Sequence, residues 1–102
     1  MQKEIENKID ALKNICSRYG VKRLYLFGSA ATQDFNTNSD VDLLISFDES
    51  LSIEQYTNNY FGLHEELNKL FDRPVDLVTE RTLANPYFIE SVNETKQLIY
   101  EA

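Results

Sequence analysis

Hydrophobic residues recur at spacings of three and four over residues 3 to 19 and again over residues 53 to 71, which predicts two amphipathic helices. Gly20 is a helix-terminating residue after the first segment. Ser52 and Gln55 form a capping-box pattern that predicts the start of the second and longest helix. The positions expected to face the core of that helix are Ile53, Tyr56, Tyr60, Leu63, Leu67 and Leu70.

Short apolar runs with the composition of buried strands occupy Val21 to Phe27, Val41 to Phe47 and Val75 to Val78. Residues 30 to 39 are small and polar, which indicates a short helical turn followed by a loop. Asn85 and Pro86 predict the start of another helix, reaching about Val92, and the tail QLIYEA predicts a final strand. This order of elements predicts an α/β fold, with a small sheet and helices packed against it.

The composition narrows the class of protein. The chain has 102 residues, with 10 Lys and Arg against 17 Asp and Glu, and a formal charge of −7. This length is expected to form one domain, and the acidic excess argues against binding long nucleic acid. The chain contains neither an apolar run that could span a membrane nor a signal peptide, so we expect a cytoplasmic protein. The single cysteine, Cys16, excludes an internal disulfide, and we expect it to be a small core residue.

Two carboxylates are expected side by side at the start of the second strand. Asp40 and Asp42 flank Val41, and alternation along a strand directs both side chains to one face. Like charges this close are unfavourable unless a cation lies between them, and Mg²⁺ is commonly held by one or two carboxylates together with substrate phosphates. Asp76 has a similar setting in the strand VDLV. The alternative interpretation is that these acids protect a sheet edge or form turns.

Gly28 and Ser29 follow the first strand directly. A glycine there allows the backbone to approach a ligand, and the serine offers an N–H and a hydroxyl to an anion. Alone, this pair is also typical of an ordinary turn. The only histidine, His64, lies within the longest helix beside two glutamates, where a structural or solvated role is favoured over catalysis.

The spacing of these motifs resembles a known family. Phe27, Gly28 and Ser29, followed after residues 30 to 38 by SDVDL, resemble the signature of the DNA polymerase β-like nucleotidyltransferase superfamily. A chain this short resembles its minimal nucleotidyltransferases (MNT), which are commonly paired with HEPN-domain proteins in prokaryotic toxin–antitoxin systems. The resemblance implies that residues 1–102 form a single nucleotidyltransferase domain with a small mixed sheet and flanking helices.

The resemblance also implies a role for each motif. Gly28 and Ser29 would contact the triphosphate of a nucleotide, expected to be ATP. Asp40, Asp42 and Asp76 would bind two Mg²⁺ ions, and Asp76 would assist deprotonation of the acceptor hydroxyl. The chain departs from the usual pattern at Ala30, Ala31, Thr32 and Gln33, where many members have an arginine and a second glycine. Other basic residues that could compensate are Lys22, Arg23 and Arg73, each favoured as an ordinary surface charge.

Three functions follow from this interpretation. The leading hypothesis is transfer of a nucleoside monophosphate to a hydroxyl on a partner protein, by resemblance a tyrosine of a HEPN-type toxin, because a chain this short has no domain for the acceptor. The second is an antitoxin that acts by binding alone. The third is nucleotidylation of a small hydroxylated molecule such as an aminoglycoside, with a homodimer completing the site. One aromatic of each pair Tyr60–Phe61 and Tyr87–Phe88 is expected to be exposed, which favours a protein partner.

Overall fold

The structure is a computed structural model that describes residues 3–31 and 40–102. The strands and α-helices in these ranges follow the predicted order, except that two helices stand where one is predicted for residues 3 to 19. In chain order they are α1 (Lys3–Glu6), α2 (Ile9–Arg18), β1 (Val21–Phe27), β2 (Val41–Phe47), α3 (Ile53–Phe71), β3 (Val75–Thr79), α4 (Pro86–Thr95) and β4 (Gln97–Glu101). Two 3₁₀ turns, Gly28–Ala31 and Glu80–Thr82, follow β1 and β3.

The strands form one mixed sheet in the order β3-β2-β1-β4. β1 pairs antiparallel with both β2 and β4, whereas β2 and β3 are parallel. The parallel pair is possible because the long helix α3 connects β2 to β3 and supplies the crossover that parallel strands need. The prediction of a small α/β domain with a mixed sheet is confirmed.

Helices cover both faces of the sheet. On one face, Val41, Leu43 and Ile45 of β2 belong to the main core with α2 and α3, and all three are fully buried. On the other face, Leu44 packs with Phe27 and with Val92 of α4 in a smaller cluster. Because side chains alternate along β2, Asp42 lies on the same face as Leu44. The carboxylate of Asp42 therefore lies on the face that α4 covers only in part.

Side chains of α3 cap the outer edge of β3. Asn68 accepts a hydrogen bond from the Val75 amide at 2.9 Å, and His64 Nε2 donates to the Val75 carbonyl at 2.7 Å. One turn earlier, the Tyr60 hydroxyl donates to the Leu77 carbonyl at 2.7 Å. These three residues are four apart on α3 and form one stripe. They satisfy backbone groups that a sheet edge would otherwise expose, so His64 has a structural role, although it is half-buried rather than on the solvated side.

Two details of the predicted helices are wrong. The segment 3–19 is not one helix, because Lys8 has φ −108° and ψ 1°, and its amide donates to Ile5 three residues back at 3.0 Å. Asn7, a poor helix former, precedes this break. Ile53 is not a core position either, since it is the first residue of α3 and 86% exposed. The Ser52–Gln55 capping box at that helix start is confirmed.

Other predictions are confirmed by the described residues. Cys16 is fully buried, and Asn85 caps α4 by accepting from two backbone amides. Of the pair Tyr60–Phe61, Phe61 is exposed as predicted, whereas both residues of the pair Tyr87–Phe88 are exposed, at 83% and 39%. Within residues 3–31 and 40–102, no helix is long and apolar enough to cross a membrane. The loop predicted for residues 32 to 39 lies outside the described residues.

Candidate active site

Asp42 and Asp76 lie on neighbouring strands at the same level of the sheet. They are register partners in the parallel β2–β3 pair, so their side chains are adjacent on one face. Asp40 lies one residue before β2 and adds a third carboxylate at the same end. Asp42 is half-buried, whereas Asp40 and Asp76 are exposed. The structure thus brings the three sequence-predicted acids to one end of the β2–β3 pair.

Gly28 brings the turn after β1 against this carboxylate pair. Phe27, the last residue of β1, is the register partner of Asp42 on the other side of β2. Gly28 has φ +67°, and a Cβ at this position would overlap Oδ2 of Asp42. Both the backbone conformation and the space available require glycine here. Gly28 and Ser29 therefore begin a 3₁₀ turn directly beside Asp42.

The surroundings of Asp42 disfavour its charged form. Burial, together with the neighbouring carboxylates of Asp76 and Asp40, raises the pKa of the Asp42 carboxyl from 3.8 to about 6. An anionic Asp42 is thus unfavourable in the free protein. A cation placed between these groups would offset the repulsion and lower the pKa of Asp42.

The acids are suited to sharing a metal ion with a ligand. In the part of the chain that the structure describes, no three His, Cys, Asp or Glu side chains are arranged to hold a metal ion by themselves. Mg²⁺ in nucleotide sites retains several waters and takes one or two carboxylates plus phosphate oxygens, so a complete protein cage is not required. The oxygen-only donor set of Asp40, Asp42 and Asp76 matches that preference.

A hydrogen bond from outside the predicted motifs holds the turn. The Gly28 amide donates to Oγ1 of Thr95, at the end of α4, at 3.0 Å. Thr95 Oγ1 in turn donates to the Ser91 carbonyl at 3.3 Å. Sequence reasoning did not identify Thr95. It lies 67 positions from Gly28 and belongs to no motif, so only the packing of α4 on the sheet reveals it.

Among the described residues, the other candidates for phosphate binding are uncharged, paired with acids or distant from the turn. Ala30 is fully buried and Ala31 half-buried, and Thr32 and Gln33 lie outside the described residues. Arg73 donates to both carboxylate oxygens of Glu4 at 3.1 Å. Lys22 and Arg23 lie at the opposite end of β1 from Gly28, and Arg23 pairs with Glu80 at 3.3 Å. The prediction that Arg23 and Arg73 are ordinary surface charges holds only in part, since both pair with acids and their side chains are 29% and 12% exposed.

Comparison with known proteins identifies the class. Residues 10–102 match the family described as Polymerase beta, Nucleotidyltransferase. The chain belongs to this family, and it is a nucleotidyltransferase. It is 36% identical over 88 residues to MJ1379 of Methanocaldococcus jannaschii, provisionally named a protein adenylyltransferase, covering 86% of this chain and 84% of that protein. It is 35% identical over 81 residues to the protein adenylyltransferase MntA of Thermococcus cleftensis, covering 78% of each.

Solved structures share the fold. A protein provisionally identified as a minimal nucleotidyltransferase has a TM-score of 0.67 and 30% identity, with 91% of this chain and 90% of that chain covered. A toxin–antitoxin crystallised with AMP-PNP has a TM-score of 0.68 and 24% identity, with 99% and 75% covered. A tri-AMPylated Shewanella oneidensis HEPN toxin in complex with an MNT antitoxin gives 0.65 and 18%, with 95% and 72% covered. At identities this low, the last two show similarity of fold alone.

Proposed function

We propose that this nucleotidyltransferase transfers AMP from ATP to a tyrosine hydroxyl of a HEPN-type toxin and thereby acts as its antitoxin. The observation that carries the proposal is the placement of Asp42 and Asp76 as register partners beside the Gly28–Ala31 turn. Two relatives at 36% and 35% identity bear the name protein adenylyltransferase, which supports a protein acceptor and AMP as the transferred group. The toxin–antitoxin complexes that share the fold support the class of partner.

The site residues divide between the two sides of the reaction. The turn at Gly28 and Ser29 would bind the triphosphate, because backbone amides at the start of a helical turn favour anions. Asp76 is exposed and would face the acceptor, where it assists removal of the hydroxyl proton. The hydroxyl oxygen then forms a bond to the α-phosphorus, the bond from that phosphorus to the bridging oxygen breaks, and pyrophosphate leaves with the electron pair.

Mg²⁺ fits the donor set of this site. Asp40, Asp42 and Asp76 would hold two ions, and bound Mg²⁺ would neutralise charge on the entering and leaving oxygens. The support from this chain is the grouping of the three carboxylates and the raised pKa of Asp42, caused by burial and by the two neighbouring carboxylates, which a bound cation would lower. Half-burial of Asp42 and exposure of the other two acids leave an open side for the nucleotide.

The test is the intact mass of the partner. The protein is incubated with its candidate HEPN-type partner, Mg²⁺ and each of the four nucleoside triphosphates, and the partner is then weighed by mass spectrometry. We expect an AMP adduct with ATP, located on a tyrosine by peptide mapping. Asp42→Asn should abolish the adduct, whereas Asp10→Asn, an exposed acid on α2, should not change it. Absence of any adduct with all four nucleotides would reject the proposal.

A further inference from the structure

The hydrogen bond between Gly28 and Thr95 joins the phosphate side of the site to α4. The Gly28 amide is the first N–H of the turn, and it is already used by Thr95 Oγ1 at 3.0 Å. The Gly28 amide is therefore not free to bind a phosphate. The role of Gly28 is to let the backbone lie close to Asp42, and amides further along the turn would contact the phosphates. The orientation of those amides depends on how Gly28 is held.

Thr95 can hold the turn because it belongs to a well-anchored helix. Val92, one turn earlier on α4, is 1% exposed and packs with Phe27 and Leu44 on the sheet. The Thr95 hydroxyl proton is directed to the Ser91 carbonyl at 3.3 Å, which turns an oxygen lone pair toward Gly28. The acceptor for the Gly28 amide is thus fixed both by packing and by a second hydrogen bond.

The turn itself has one position in the left-handed region of backbone conformation. Gly28 has φ +67°, a left-handed backbone conformation that glycine adopts without penalty but that also leaves glycine free to adopt others. A glycine in this place therefore needs an external contact to select one orientation. Thr95 provides that contact through the Gly28 amide.

We propose that Thr95 is a positioning residue for the nucleotide: its hydroxyl holds the Gly28–Ala31 turn in the orientation that binds the triphosphate. This inference rests on the nucleotide-dependent reaction proposed above. It assigns to α4, which carries none of the recognised motifs, a direct effect on nucleotide affinity. Loss of the hydroxyl would leave the Gly28 amide without its acceptor and would allow the turn to sample other orientations.

Three substitutions separate this role from general damage. Thr95→Val keeps the shape and removes the acceptor, and Thr95→Ser keeps the hydroxyl. Thr57→Val is the matched control, because Thr57 on α3 makes the same kind of hydroxyl bond to a carbonyl four residues back, Ile53, at 2.9 Å, and lies away from the turn. Each purified protein is titrated with AMP-PNP and Mg²⁺ by calorimetry, well below its melting temperature.

We expect Thr95→Val to weaken AMP-PNP binding by about tenfold, in line with the usual cost of leaving a part-buried donor unsatisfied. Thr95→Ser and Thr57→Val should bind within about twofold of wild type. With ATP and the partner, Thr95→Val should raise KM for ATP more than it lowers kcat. Hydrogen exchange of the Gly28 amide should accelerate in Thr95→Val relative to exchange of the β1 core amides and stay slow in Thr95→Ser, because loss of global stability would accelerate both sets of amides together.

The outcomes distinguish this inference from the proposed function. If wild type binds AMP-PNP and Thr95→Val binds it equally well, the positioning role is wrong while the proposed function stands. Equal weakening by Thr95→Ser and Thr95→Val would also overturn it, because the retained hydroxyl would then have no effect. If wild type itself binds no nucleotide, the proposed function and this inference are both rejected.

Discussion

Gly28 lies so close to Asp42 that only the missing side chain of the glycine leaves room for the carboxylate. A Cβ on Gly28 would overlap Oδ2 of Asp42 and lie 3.3 Å from its Cγ. The two residues belong to different segments of the candidate site, the phosphate-side turn and the carboxylate pair. Because Gly28 and Asp42 are in contact, a substitution in the turn is expected to displace the carboxylate pair.

Gly28→Ala should therefore lower activity by more than the loss of folding stability explains. The new methyl group would push Asp42 away from Asp76, and we expect transfer to the partner to fall by at least about tenfold, as misplaced catalytic groups commonly cause. The free energy of unfolding should fall by about 1–2 kcal/mol because alanine is strained at φ +67°. Adduct formation by mass spectrometry and chemical denaturation measure the two effects.

Gly20→Ala is the matched control for that prediction. Gly20 has φ +71°, but a Cβ there would make an ordinary contact with Leu51 Cδ1 at 3.4 Å. The two variants should lose similar stability, and only Gly28→Ala should lose activity. Equal activity of both variants would show that the contact with Asp42 does not matter for the reaction.

Asp42→Asn should stabilise the metal-free protein. The pKa of Asp42 is raised to about 6 in the folded protein against 3.8 ordinarily, so the folded state holds its proton more tightly than the unfolded state. Stability from this group is accordingly lost as pH rises from about 4 to about 6. Above that window we expect Asp42→Asn to be more stable by about 1 kcal/mol, a value reduced for the partial exposure of the group.

Metal addition provides the complementary measurement. Mg²⁺ should raise the melting temperature of wild type, because a ligand of the folded state stabilises it, and should do so much less in Asp42→Asn. Melting curves at pH 7 with and without Mg²⁺, and at pH 4 without it, compare the two proteins. Equal metal-free stability of wild type and variant at pH 7 would contradict the view that burial and the neighbouring carboxylates destabilise the Asp42 anion.

Tyr60→Phe should weaken the capped edge of β3. It removes the hydroxyl that donates to the Leu77 carbonyl at 2.7 Å, and we expect a loss of about 1 kcal/mol in unfolding free energy. Tyr87→Phe serves as control, since Tyr87 is 83% exposed on α4. Urea denaturation of both variants tests this. An unchanged unfolding free energy in Tyr60→Phe would show that the edge of β3 does not depend on this hydrogen bond.

Most of the helices and strands could be predicted from the sequence alone, because the signals that predict them are local. Strands and helices here follow from side-chain periodicity and from caps such as Ser52–Gln55, which depend on residues a few positions apart. Pairing of Asp42 with Asp76 could be anticipated only through the family resemblance, because parallel register depends on the whole sheet. The break at Lys8 is set by backbone geometry that the apolar pattern does not encode.

Contacts between distant segments could not be anticipated. The role of His64 depends on which edge of β3 is open, and thus on the strand order β3-β2-β1-β4. The bond from Gly28 to Thr95 depends on how α4 crosses the sheet. The residue type does not predict a long-range contact in either case, since a histidine or threonine in a helix usually has a local or solvated role.

Cys16 should be unreactive in the folded protein. The side chain is fully buried in the main core, and burial raises the pKa of the thiol from 9.0 to about 12. At pH 8 a thiol reagent should label Cys16 only after denaturant is added, with labelling followed by mass spectrometry. Rapid labelling of native protein would show that α2 opens readily from the sheet.

Neutralisation of the toxin tests whether chemistry or binding alone is responsible for the proposed antitoxin role. The chain lacks a basic residue at Ala30 and Ala31, a departure that favours the binding-only alternative, whereas the register of Asp42 with Asp76 favours catalysis. The double variant Asp40→Asn, Asp42→Asn removes two of the three acids while leaving the surface of α3 and α4 unchanged. We expect it to bind the partner but to fail to protect cells that express the toxin. Co-purification measures binding and growth measures protection. Full protection by the double variant would instead establish that masking is sufficient, because the carboxylates on which transfer depends would be absent.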